Sequence, residues 1–226
     1  MYRQFILILT VMFTALAAKA QFEPFRFDAG VQSGVSGYLG DANTSSIFHK
    51  PGISAALTGR YRFNARMALK LQAGVTRLSG DTADFDNMLP EGENFSFKSA
   101  VYDLGLRYEF NFFPYGIGPS YKQLRRISPY VTAGAGVAIA STGGTTVAAP
   151  CIPLGVGVKY KLAPRLNLCG EFTMTKVLSD RVDGRSLSDP YGIKSSVLKN
   201  TDWYSNIAIS ITYEFGERCE DCNYVD

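Results

Sequence analysis

Beyond its first twenty residues the chain has no apolar run long enough for a membrane-spanning helix, yet apolar and polar residues alternate with period two in segments of about ten residues. This alternation limits the possible folds more than any other feature, because successive side chains of a strand point to opposite faces. The clearest segment is Trp203 to Phe215. Trp203, Ser205, Ile207, Ile209, Ile211, Tyr213 and Phe215 share one face, and Tyr204, Asn206, Ala208, Ser210, Thr212 and Glu214 share the other. One face is apolar with aromatics at both ends, and the other is small and polar.

Seven upstream segments, within 25–32, 53–63, 67–76, 102–112, 131–139, 152–161 and 166–174, read the same way. A soluble sandwich also alternates, but two features favour lipid on the apolar face. The polar faces carry Arg, Lys, Asp and Glu at mid-strand, which is costly on a dry sheet face but workable where the charges pair inside a narrow barrel. The connections also alternate in length. They are short at Phe63 to Arg66, where Asn64 and Ala65 make the turn, and at Leu162 to Arg165, where Pro164 does. They are long at Gly40 to Lys50, Ser79 to Asn94, Ser141 to Pro150 and Leu178 to Asp202, all rich in turn-forming residues. Short periplasmic turns and long outer loops are the asymmetry of outer-membrane barrels. The aromatic content of 13% against only 19% charged residues suits the same environment. The expected fold is therefore all-β, an eight-stranded antiparallel up-and-down transmembrane β-barrel over residues 21–216, with both mature termini in the periplasm of a Gram-negative bacterium.

A barrel of that size is filled by its own side chains, so an open solute pore is not expected and a gated channel is the alternative. Arg60, Arg62, Lys70, Arg107, Lys159 and Lys161 should be neutralised in part by Asp28, Asp103, Glu109, Glu171 and Glu214, forming a charge network in the lumen. The N-terminus has Arg3, an apolar run from Phe5 to Ala18, and small residues at Ala18 and Ala20. These are the parts of a signal peptide, residues 1–20, cut after Ala20. Ala, not Cys, precedes the cut, so no lipid anchor is implied. Removing Arg3 and Lys19 takes the formal charge from +3 to +1, which leaves no electrostatic case for nucleic acid.

One connection breaks the length rule. Between Pro114 and Ser128 the link on the short-turn side is long and basic, with Lys122, Arg125 and Arg126. After the last strand, the tail 217–226 holds Cys219 and Cys222 in a CxxC. That pair could form a local disulfide, half a metal site or a link to a partner. Two further metal ligands are not nearby and no thioredoxin-like context exists, so a structural or partner-linking disulfide is favoured. Cys151 and Cys169 are not expected to pair, because a hairpin folded around Ala163 and Pro164 puts Cys169 near Val158. His49 is the only histidine. It lies in a loop near Ser45 and Ser46 with no carboxylate fixed by a motif, so no enzymatic activity, cofactor or metal is expected.

The run from Glu109 through Phe110, Asn111, Phe112, Phe113 and Pro114 to Tyr115 is followed by Ser128-Pro129-Tyr130 before a Gly-rich strand. With Arg77-Leu78-Ser79-Gly80, the Pro153 to Tyr160 strand, Asp202-Trp203-Tyr204, Tyr213-Glu214-Phe215 and Gly37-Tyr38-Leu39-Gly40-Asp41, these stretches together resemble the PorG-like barrels of Bacteroidota. The resemblance implies a part in the type IX secretion system, with association to a periplasmic ring that includes a lipoprotein. It implies no catalytic or ligand site. Combined with the unusual link and tail, it makes Lys122, Arg125, Arg126, Cys219 and Cys222 candidate docking residues. The alternatives are a structural or small-solute transport barrel of the OmpA-like or OmpW-like kind, and a lipid-modifying barrel enzyme using His49. Mass spectrometry of the protein isolated from cell envelopes should find a mature chain starting at Gln21; a chain still carrying residues 1–20 would mean an uncleaved anchor.

Overall fold

The computed structural model describes residues 25–39, 51–81, 96–118, 123–142, 145–178 and 203–217. They form β1 (Phe25–Leu39), β2 (Gly52–Arg62), β3 (Met67–Asp81), β4 (Ser96–Asn111), β5 (Ile127–Thr142), β6 (Thr145–Ala163), β7 (Leu166–Val177) and β8 (Trp203–Glu217). Each strand pairs antiparallel with its sequence neighbours, and β1 closes on β8, giving the expected eight-stranded barrel. Closure leaves no strand edge unpaired, which hydrocarbon requires because it offers no hydrogen bonds to a bare backbone. Phe25 pairs with Glu217, so the first and last described residues lie together at the end that carries the short turns.

The period-two pattern sets the two faces. Outward side chains are apolar and exposed: Ile53 and Leu57 are 68% and 66% accessible, and Val31, Leu104, Val156 and Ile209 are likewise exposed. Facing water, each would forgo on the order of 1 kcal/mol of burial; facing acyl chains, it is at home. Aromatic side chains ring the short-turn end. Phe27 packs on Tyr61 and Phe215 with ring centroids 5.3 and 5.8 Å apart, and Tyr61 meets Phe63 edge-on at 5.2 Å. This is the interfacial girdle of an outer-membrane barrel. The β2–β3 turn closes as an Asx turn, in which Asn64 Oδ1 accepts the N–H groups of Arg66 and Met67 at 2.8 Å each.

Two expected connections change. The stretch from Ser141 to Pro150 is not a long loop: β5 runs to Thr142, β6 starts at Thr145, and these two residues pair. Thr145, Thr146 and Val147 are β-branched and favour strand, but Ala, Pro and Cys follow them and blur the alternation. The ladder has a gap between the Ala133–Leu154 and Gly136–Cys151 pairs, at Pro153, which has no N–H to donate. Likewise Ser79 to Asp81 and Ser96 to Val101 extend β3 and β4 beyond the apolar belt. The expected loops at 40–50 and 82–95 and over most of 178–202, the expected leader 1–20 and the residues beyond Glu217 lie outside the described residues.

Replacing mid-strand Leu57 by Arg should lower the unfolding free energy in lipid vesicles by about 2–4 kcal/mol. Urea titration checks this, and an unchanged midpoint would mean that Leu57 does not face lipid.

Candidate functional site

The inward positions of the strands converge on one chain of charges. Lys161 and Arg62 both meet Glu214. Arg62 reaches Asp28 at 3.1 Å, and Asp28 reaches Arg60 at 2.9 Å. Arg60 then lies 3.0 Å from Glu109, which also takes Lys159 at 2.5 Å and Lys70 at 3.2 Å. From Lys70 the chain continues to Glu171 at 2.6 Å, on to Arg107 at 3.4 Å, and to Asp103 at 4.0 Å. Every charged lumen residue expected from the alternation is on this path, and signs alternate at each step. Glu109 is its hub, fully buried and shared by three cations.

Neutral side chains complete the packing. Tyr130 donates its hydroxyl to Glu171 at 2.6 Å and Thr173 donates at 3.0 Å, while Lys159 Nζ lies 4.5 Å over the Tyr130 ring. The ring fits only because its strand partner is Gly157: a Cβ there would sit 2.7 Å from Tyr130 Cζ. Tyr130 was detectable, since it shares the even-numbered polar phase of Thr132 and Gly134.

Other interior groups carry weaker signals in the sequence. Tyr115, in the connection after β4, turns back into the mouth at the short-turn end, where only 2% of it is accessible. Its hydroxyl donates to Asn167 at 2.7 Å, and the Arg62 guanidinium and Lys161 ammonium lie 5.9 and 5.6 Å from its ring centre. Burial pushes its phenol well above the ordinary tyrosine range, so it remains a donor at physiological pH. No periodicity marks it. At the opposite end, Leu78, Val101, Ala138, Ala140, Cys151, Val177 and Tyr204 form an apolar cluster inside the barrel. Cys151 and Cys169 are both buried and free. Cys169 pairs with Lys159 rather than Val158: the turn sits one residue later than expected, so that Ala163 pairs with Leu166, and a register shift between Lys161 and Ala163 then brings Lys159 opposite Cys169. Its face follows from β7 itself, where it shares the inward phase of Asn167 and Glu171. The Cys169 thiol thus lies inside, 3.9 Å from Arg60 Nη2.

The described parts of the long link, 114–118 and 123–128, are tied to the barrel end. Tyr115 N–H donates to the Ala65 carbonyl at 3.0 Å, Arg125 N–H to Pro114 at 2.7 Å, and Gly116 N–H to Arg125 at 3.0 Å. Ser128 Oγ donates to the Phe113 carbonyl at 3.0 Å and accepts its N–H at 3.1 Å. Gln123 has φ of 49°, a left-handed conformation that costs a residue with a side chain about 1 kcal/mol or more. Arg125 and Arg126 are exposed on this surface. Lys122, Cys219, Cys222 and His49 lie outside the described residues.

A family model described as a domain of unknown function, DUF6089, matches residues 3–224. The chain belongs to the DUF6089 family. No curated protein matches it in sequence. Among solved structures, Neisserial surface protein A is similar with a TM-score of 0.52 at 14% identity, over 84% of this chain and 97% of that one. A major outer membrane protein of Thermus thermophilus scores 0.48 at 15% identity over 84% and 99% of the two chains. Ail of Yersinia pestis scores 0.46 at 13% identity over the same shares. At 14% identity the likeness to Neisserial surface protein A is one of fold, and it agrees with the closed barrel of this DUF6089 chain.

Glu109→Gln should cost about 3–5 kcal/mol of barrel stability, because it leaves three buried cations short of a counter-charge. Asp103→Asn, which gives up only a 4.0 Å contact, should cost about 1 kcal/mol or less. Urea unfolding of the two variants in vesicles checks the order, and equal costs would deny Glu109 its central place.

Proposed function

We propose that this chain is a non-enzymatic anchor of the type IX protein secretion system in the outer membrane. In this reading its short-turn end faces the periplasm and docks ring subunits, a lipoprotein among them. The observation that carries it is the filling of the lumen. The charge network and the Tyr115 cap occupy the interior at the short-turn end and the apolar cluster occupies the other, which directs attention to an outer surface as the working one. Arg125 and Arg126 are exposed there, on a link tied down by backbone hydrogen bonds at both ends. Where a binding surface is ordered beforehand, as the described parts of this link are, a partner binds without a large ordering cost. Lys122, Cys219 and Cys222 join this face on sequence grounds, and the resemblance to PorG-like barrels supplies the partner class.

The second reading, a general structural or transport barrel of the OmpA-like or OmpW-like kind, draws on the fold alone. Deleting the gene separates the two. The anchor reading expects loss of cargo proteins from the culture medium and loss of ring subunits from pull-downs, with partial loss when residues 217–226 are removed. Normal secretion with a leaky envelope would replace it with the general barrel. In either case His49→Ala should leave function intact, and loss of an activity in that variant would favour the barrel enzyme.

A further inference from the structure

Between the β2–β3 turn and the β4–β5 link, the short-turn end carries a cavity of about 450 Å³. It is lined by Arg66, Phe113, Pro114, Gln123, Leu124 and Arg125. Two guanidinium groups share this space, and neither has an ion pair among the described residues. Arg66 Nη1 donates to the Phe112 carbonyl at 3.3 Å, and the Arg125 guanidinium lies 4.4 Å over the Phe113 ring. Each contact fixes a guanidinium while using little of its donor capacity. A guanidinium has five N–H donors, and one stacked on an aromatic ring keeps its in-plane edge free for an oxyanion. The charged network of the lumen offers no counter-charge, since each of its carboxylates already meets at least one interior cation.

The position of the cavity narrows the anion. Phe113 on its wall and the adjoining Phe112, whose carbonyl Arg66 meets, are both exposed, at the end of the barrel where the aromatic girdle marks the change from acyl chains to headgroups. Phe113 and Leu124 supply an apolar wall beside the two cations. The left-handed turn at Gln123 sits on the cavity wall next to Leu124 and Arg125, so strained backbone is held at this spot, as it often is at binding sites. An apolar wall with a paired cationic edge suits a molecule that is apolar at one end and carries a phosphate at the other.

We propose that this cavity binds the phosphate of an anionic phospholipid, with Arg66 and Arg125 gripping the oxygens and Phe113 and Leu124 meeting the chain. The site goes beyond the docking reading and does not depend on it. It would fix the height of the short-turn end against the membrane surface whatever docks on the face beyond.

The test uses the full mature chain refolded in detergent micelles, with lipid retention read by native mass spectrometry. Phosphatidylglycerol should bind about tenfold more weakly to the Arg66→Gln, Arg125→Gln double variant than to wild type, the loss expected for removing charge-assisted hydrogen bonds. Arg126→Gln, outside the cavity, should bind as wild type does. Heat-dependent gel migration shows that each variant still forms a barrel. Wild type should prefer phosphatidylglycerol to phosphatidylcholine, and millimolar inorganic phosphate should not displace it. The proposal is overturned if the double variant retains the lipid as well as wild type does. It is also overturned if inorganic phosphate displaces the lipid fully, which makes the site one for free phosphate. Binding that appears only after residues 218–226 are removed would overturn it too, by assigning the arginines to the acidic Glu220 and Asp221 of the tail.

Discussion

The barrel depends on bringing eleven charged side chains indoors without leaving any of them alone. A closed eight-stranded wall has an apolar exterior, so every mid-strand charge must turn inward. Inside, an ion stripped of water is tolerable only beside an opposite charge and with its remaining hydrogen bonds made. Glu109 shows how the lumen meets that demand, lying within 3.2 Å of Arg60, Lys70 and Lys159 from three different strands. Strands β2, β3, β4 and β6 are tied through this one carboxylate. Their register is held from within as well as by the backbone ladder.

The same constraint shapes what the molecule can do. A lumen packed with alternating charges at one end and with Leu78, Val101, Val177 and Tyr204 at the other has little room for a solute path. Tyr115 adds a cap whose hydroxyl is tied to Asn167. The surfaces are left to carry the activity, and two of them meet at the short-turn end. One is the exposed arginine face of the β4–β5 link, proposed as a docking surface. The other is the Arg66–Arg125 cavity in the aromatic girdle, proposed as a lipid-phosphate site. Both follow from a connection longer than a tight turn, because only a folded link can present side chains beyond the barrel wall.

Much of this was legible in the chain. Period two with charges on one phase puts Arg60, Glu109, Glu171 and their partners on the inner face, because strand geometry leaves only two directions for a side chain. The Asn64 turn was legible from its chemistry. The β5–β6 connection was not: the Ala-Ala-Pro-Cys run has too little contrast between phases to reveal a strand. The strand partner of Cys169 also escaped, because the exact seat of the turn and a bulge of one residue leave no trace in composition yet shift the facing residue.

The sequence by itself determined the number of strands, their faces and the lipid-facing belt, since these follow from local alternation and turn chemistry. Only the tertiary structure decided which charges meet and where the lumen turns apolar. It also brought Tyr115 into the mouth and set Arg66 beside Arg125 across 59 positions of chain. Those outcomes depend on register and closure, which bring together residues far apart in sequence, and no local pattern encodes that distance.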